Sequence, residues 1–118
     1  MPAMQLDCTD QDGYHLAVCD GQLDEAAHNA FRQVLHPLFV ERNVNVVVDL
    51  SDVSFINSEG IAAMVRLVAD ANTKGCRVIF AAAGTFVREV LNVTRLSNYF
   101  ETADTRAAAV ELLSVSEE

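Results

Sequence analysis

The apolar positions change period along the chain, and the period assigns the elements. Met4, Leu6 and Cys8 alternate with Gln5 and Asp7, the two-residue repeat of a half-exposed strand. Thr9-Asp10-Gln11-Asp12-Gly13 supplies turn residues. Tyr14 to Cys19 then alternates as the returning arm of a hairpin, with His15 on the face opposite Tyr14, Leu16 and Val18. Asp20 to Asp24 closes that strand, and Asp24 is the expected cap of a helix whose first turn holds Glu25. Ala27, Phe31, Val34, Leu35 and Leu38 recur there at helical spacing. Pro37 falls late in that stripe and has no amide hydrogen, so an end or a kink is predicted near Gln33 to His36.

Val44 to Leu50 is almost continuously apolar, the pattern of a strand buried on both faces. Ile61 to Ala71 is apolar except for Arg66 and Asp70, which predicts a long helix over 58–74 with Gly75 just past its end. Cys76 to Ala83 forms a second apolar strand, so strand, helix and strand make a right-handed parallel crossover. Phe86, Val87, Val90, Leu91 and Val93 predict a short amphipathic helix capped by Thr85. Tyr99 to Thr102 suits a short edge strand. A last helix, Thr105 to Leu113, is expected with Asp104 as cap and with Ala108, Leu112 and Val115 facing inward, followed by a frayed acidic tail over 114–118. The sum is one α/β domain over 1–118, a mixed sheet of four to five strands with about four packed helices.

Composition narrows what such a domain does. The chain has 118 residues, half of them apolar, enough for a core without staples. The formal charge of −9 argues against nucleic acid, where Lys and Arg must neutralise phosphates, and suits a protein partner met through a polar face. No run of about 18 apolar residues predicts membrane insertion, and the first residues lack a secretory pattern, so a cytoplasmic place is expected. Cys8, Cys19 and Cys76 form no close pair and are expected as reduced thiols.

Catalytic chemistry finds no footing. There is no Gly-rich loop ending in Lys-Ser or Lys-Thr, no Gly-x-Ser-x-Gly and no His-Glu-x-x-His. His28 and His36 stand two helical turns apart, about 12 Å, too far for one metal ion, and both are expected at the surface or its boundary. His15 is expected to be solvated or satisfied. Asp49, Asp52 and Glu59 lie close in sequence, but acids at strand ends and helix starts are commoner than catalytic pairs. Neither catalytic residues, metal nor cofactor is expected.

The join between the apolar strand and the long helix is the most informative stretch. Asn57 and Ser58 are cap residues, and Glu59 adds negative charge at the positive end of the helix dipole. Ser58 is therefore expected at a helix N-terminus with its hydroxyl at the surface, a place that holds anions well. By residue type alone, Ser58 is a cap.

Asp49-Leu50-Ser51-Asp52-Val53-Ser54-Phe55-Ile56-Asn57-Ser58-Glu59-Gly60-Ile61 resembles the signature of STAS domains, the fold of anti-sigma factor antagonists. The family pattern is an apolar strand, then Asp-Leu-Ser-x-Val-x-aromatic-apolar-Asp-Ser-x-Gly-Leu. Asn57 stands where the family has Asp, and Glu59 where many phosphorylated members carry Ser or Thr. Gly21-Gln22-Leu23-Asp24 resembles the Gly-x-Leu-Asp that precedes the first helix. Val87 to Leu96 resembles the segment ending in Thr-Gly-Leu, with Arg95 in place of that Gly.

The resemblance implies a non-enzymatic antagonist that binds an anti-sigma factor doubling as a serine protein kinase. Ser58 would be the phosphorylation site, and a serine phosphatase would reverse the modification. If the strands ending at Cys19 and Leu50 are parallel, Asp24 and the Asn57–Gly60 turn are neighbours. The expected partner-binding set is then Asp24, Asn57, Ser58, Glu59 and Gly60. The rival expectation is a non-catalytic STAS scaffold or subunit, in a lipid-transport ATPase or a sensory assembly, where Ser58 only caps.

Overall fold

Alternate residues of the central strand meet different surroundings, and this sets the layers. The computed structural model describes residues 5–11, 13–96 and 98–114. β3 (Val46–Ile56) sends Val46, Val48 and Leu50 into the main core and Val47 into a smaller core on the other side. β1 (Gln5–Gln11) and β2 (Tyr14–Leu23) form the antiparallel hairpin, and β3, β4 (Val78–Ala81) and β5 (Glu101–Ala103) follow in parallel with β2. The five strands lie in the order β1-β2-β3-β4-β5, so β2 through β5 end on one edge of the sheet.

α1 (Ala26–Ala30), α2 (Ser58–Thr73) and α3 (Thr85–Val93) bury Ala27, Met64, Leu67, Val87 and Leu91 in the main core. α4 (Arg106–Ser114) covers the other face with Ala109, Val110 and Leu113 against Val47, Ile79 and Ala81. That assignment corrects the predicted phase of the last helix. Thr105 rather than Asp104 caps it, its hydroxyl accepting the Ala108 amide at 3.0 Å. Asp104 instead faces Arg88 at 3.8 Å. The inward face accordingly centres on Ala109, and Leu112 is 36% exposed. The predicted strand residue Met4, the turn residue Asp12, the inward Val115 and the tail 115–118 lie outside the described residues.

Pro37 neither ends nor breaks the first helical segment. α1 runs on as π-helical turns over Phe31–Leu35 and Leu38–Arg42, and His36 donates to the Phe31 carbonyl five residues back. The wider turn shifts carbonyls out of the four-residue register in which a proline ring collides with them. The segment stops at Asn43, which takes φ 54°, a left-handed conformation that Asn tolerates.

α2 ends in a Schellman arrangement: Gly75 at φ 75° and Cys76 return their amides to Asn72 and Ala71. α3 ends the same way at Arg95, φ 64°, with Leu96 donating to Leu91 at 2.9 Å. Arg95 therefore occupies the conformation its glycine counterpart would favour, at a cost of about 1 kcal/mol. The start of α3 is another correction. Gly84 precedes it as the cap residue, and Thr85 is already its first helical residue.

The largest departure concerns strand length. β2 reaches Leu23 and β3 reaches Ile56, pairing Asp20 with Asp52, Gly21 with Val53, Gln22 with Phe55 and Leu23 with Ile56 across two register irregularities. Ser51, Asp52 and Ser54 are exposed there while Val53 and Ile56 are buried, so the extension lacks the unbroken apolar run that marked Val46–Leu50. His15 is also unlike its expectation: it is 6% exposed on the core side with Ala17 and Cys19, and no described residue bonds its Nδ1.

Candidate functional site

The lengthened strands carry two loops to one corner. Leu23 ends β2, and its carbonyl accepts the Asn57 amide at 3.2 Å. Gly60 packs on the same carbonyl so closely that a Cβ there would lie 1.9 Å from the oxygen and 2.5 Å from the carbon. Only glycine lets the start of α2 approach the end of β2 at this distance. The contact is between backbones and leaves side chains of both loops to solvent.

Asn57 holds the helix start. Its backbone is extended, φ −124° and ψ −173°, and its side-chain oxygen accepts the Gly60 amide at 3.0 Å. Ser58 is thus the first residue inside α2 and not its cap, which corrects the reading in which Ser58 serves only as a cap. Its side chain is exposed, and no described residue hydrogen-bonds its hydroxyl. Glu59 is exposed too, and its carboxylate lies 3.7 Å from His28 Nε2 on α1. Free amides and the aligned peptide dipoles favour added negative charge here.

Asp24 stands beside this turn through Leu23. Its carboxylate accepts the Ala26 amide at 3.0 Å and its carbonyl the Ala27 amide at 2.9 Å, so it ties down the turn ahead of α1, but Glu25 and not Asp24 holds the cap position, a correction to the expected cap. The corner therefore gathers Asp24, Asn57, Ser58 and Glu59, with Gly60 buried beneath them. Sequence reasoning missed the Leu23 carbonyl, since any residue type could supply it. Gly60 was the available signal.

Asp49 and His36 bond to groups outside this corner. Asp49 is 2% exposed and takes its hydrogen bonds from Arg106 Nε and, at 2.8 Å, from the Ser51 amide. Burial pushes its carboxyl up, but Arg106 and Ser51 outweigh this and hold it below the usual carboxylate value. Asp49 ties α4 to β3 and has no part in the corner. His28 and His36 do not converge on one point: His36 Nδ1 meets Asp70 at 3.1 Å, and Asp70 also meets Arg66 at 3.6 Å. The Cys19 thiol is pushed up to about 12 by burial and then by Asp49, and burial also raises Cys8 and Cys76, so these thiols stay protonated. No helix among the described residues is long and apolar enough to cross a membrane.

Comparison with known proteins gives this corner a family context. A candidate anti-sigma factor antagonist from Thermotoga maritima superposes with a TM-score of 0.83 at 21% identity, over 93% of this chain and 95% of that one. The anti-sigma factor antagonist SpoIIAA, unphosphorylated, gives 0.71 at 16% identity over 96% and 100%. Phosphorylated SpoIIAA from Bacillus gives 0.68 at 19% over 94% and 99%. The fold also occurs inside the murine anion transporter Slc26a9, with a TM-score of 0.74 at 18% identity over 88% of this chain and 18% of that one. At these identities the likeness is one of fold. The STAS domain profile matches residues 6–109, and the chain belongs to the STAS domain family.

Proposed function

We propose that this chain is an anti-sigma factor antagonist, a binder and a phosphorylation substrate rather than a catalyst. It binds an anti-sigma factor that is also a serine kinase. ATP gives its γ-phosphoryl group to Ser58 Oγ, the hydroxyl proton leaves, and ADP departs; a serine phosphatase hydrolyses the ester again. One observation carries the reading: Ser58 is exposed at the first turn of α2 and its hydroxyl is free, because Asn57 does the capping.

The mechanism is local. A phosphoryl group adds roughly −1.5 to −2 charge. The helix start tolerates that charge, so the fold survives. A partner packed over the corner meets added bulk and must strip water from a new dianion, and so is released. Asn57 supports the same division of labour: a neutral amide caps without placing a second carboxylate beside the acceptor. SpoIIAA, of the same fold, is known in both phosphorylation states.

The test is incubation with the candidate kinase and ATP, followed by mass spectrometry of the peptide containing Ser58. The expected result is one phosphoryl group on Ser58, absent in Ser58→Ala. Phosphate elsewhere, or none, overturns the reading. The fold's place inside an anion transporter favours a second reading, a scaffold or subunit of a larger assembly. Affinity purification separates them, since the first recovers a kinase-like protein and the second an ATPase or sensory subunit.

A further inference from the structure

α3 is apolar on two sides and the fold uses one. Val87 and Leu91 are buried in the main core. On the outer side Phe86 is 48% exposed and Val93 81% exposed, with Val90 half-buried between them. Phe55 of β3, 39% exposed, stacks on Phe86 with ring centroids 5.9 Å apart. A shallow hollow of about 250 Å³ runs along this side, lined by Phe86, Glu89, Val90, Val93 and Thr94. Single exposed apolar side chains are ordinary, but a contiguous set marks an interaction surface.

Two observations identify the occupant. The first is continuity: Phe55 lies two residues before Asn57, so the patch runs into the turn that presents Ser58. The second is charge. The chain carries −9 and Glu89 is the charged residue lining the hollow; of the two arginines near it in sequence, Arg88 lies 3.8 Å from Asp104 and Arg95 lies past the end of α3, neither lining it. A second copy would bring like charge to like charge. We infer that the Phe55–Phe86–Val90–Val93 surface seats a different protein, one that presents an apolar side-chain cluster flanked by Lys or Arg. Within the Ser58 reading, on which this rests for its biological role, the surface anchors the kinase while the serine gates it. Modification leaves this apolar surface unchanged, and the gate decides whether the partner stays or is released.

The experiment separates the two. The isotope-labelled full chain is titrated by NMR with two amphipathic helical peptides sharing one Leu/Phe face, one flanked by Lys and the other by Glu. The expected result is saturable shifts at Phe55, Phe86, Val90 and Val93 with the Lys peptide, binding at least tenfold tighter than with the Glu peptide. Val93→Lys, at a site too exposed to disturb folding, abolishes them, and Ser58→Ala leaves them intact. Equal binding of both peptides, no saturation, or shifts centred elsewhere overturns the inference. So does a dimer in sedimentation that Val93→Lys dissociates. A chain that takes the Lys peptide but gains no phosphate refutes the Ser58 reading alone.

Discussion

A hydroxyl residue stands at the start of α4 (Thr105) and at the start of α2 (Ser58), and the two starts are built in opposite ways. At α4, Thr105 is the cap: its hydroxyl accepts the Ala108 amide at 3.0 Å, and the next residue, Arg106, reaches Asp49. Side chains fix that end, and the hydroxyl is consumed in doing so. At α2, the residue ahead of the serine does the capping, and a backbone contact between Gly60 and the Leu23 carbonyl fixes the position. Ser58 is left with its hydroxyl unspent. A hydroxyl at a helix start is structural or available depending on its neighbour. A free one can be modified without cost to the fold.

The α2 start is most vulnerable at Gly60. Gly60→Ala puts a methyl group inside the Leu23 carbonyl and must separate β2 from α2. Urea denaturation should show a loss of about 3 kcal/mol or more. A loss below about 1 kcal/mol would mean that the corner is not held by that backbone contact.

The α4 side is weaker because Arg106 is half exposed and can return to water. Asp49→Asn should cost about 2 kcal/mol near neutral pH. The pH dependence carries a sign. Asp49 titrates lower in the folded chain than in the unfolded one. Its contribution is therefore complete above the unfolded value of about 4 and drains away as pH falls through the lower folded value. Acid titration of stability should be flatter in Asp49→Asn below about pH 4, and an unchanged profile would contradict the assignment.

The caps give the sharpest contrast. Thr105→Ala and Asn57→Ala should each lose about 1 kcal/mol. Ser58→Ala should stay within about 0.5 kcal/mol of the parent. Equal losses at Thr105 and Ser58 would erase the distinction. The smallest effect is a gain: Arg95→Gly should stabilise by about 0.5 kcal/mol, because glycine takes φ 64° without strain but loses more chain entropy.

Much of this architecture was legible in the residues. The apolar run Val46–Leu50, the long α2 and the Gly75 stop came through because burial on both faces, helical spacing and a left-handed end each leave a mark in residue type. The extensions of β2 and β3 left none, since Ser51, Asp52 and Ser54 pair through backbone while facing water. Passage of the first helical segment through Pro37 was hidden for a related reason: propensity counts the missing amide and not the wider turn that accommodates it. At the corner, residue types narrowed the cap to Asn57 or Ser58, and only backbone geometry decides between them. The apolar outer side of α3 was visible as Phe86, Val90 and Val93, but periodicity alone does not say which of two apolar sides is buried.

We expect modification of Ser58 to act on binding and not on folding. The most direct test measures both quantities on one sample: unfolding free energy and kinase affinity for the Ser58-phosphorylated chain beside the unmodified one. The unfolding free energies should lie within about 0.5 kcal/mol of each other, and the affinity should be at least tenfold weaker after phosphorylation, about 1.4 kcal/mol or more. Unchanged affinity, or a stability loss as large as that of Asn57→Ala, would contradict this expectation.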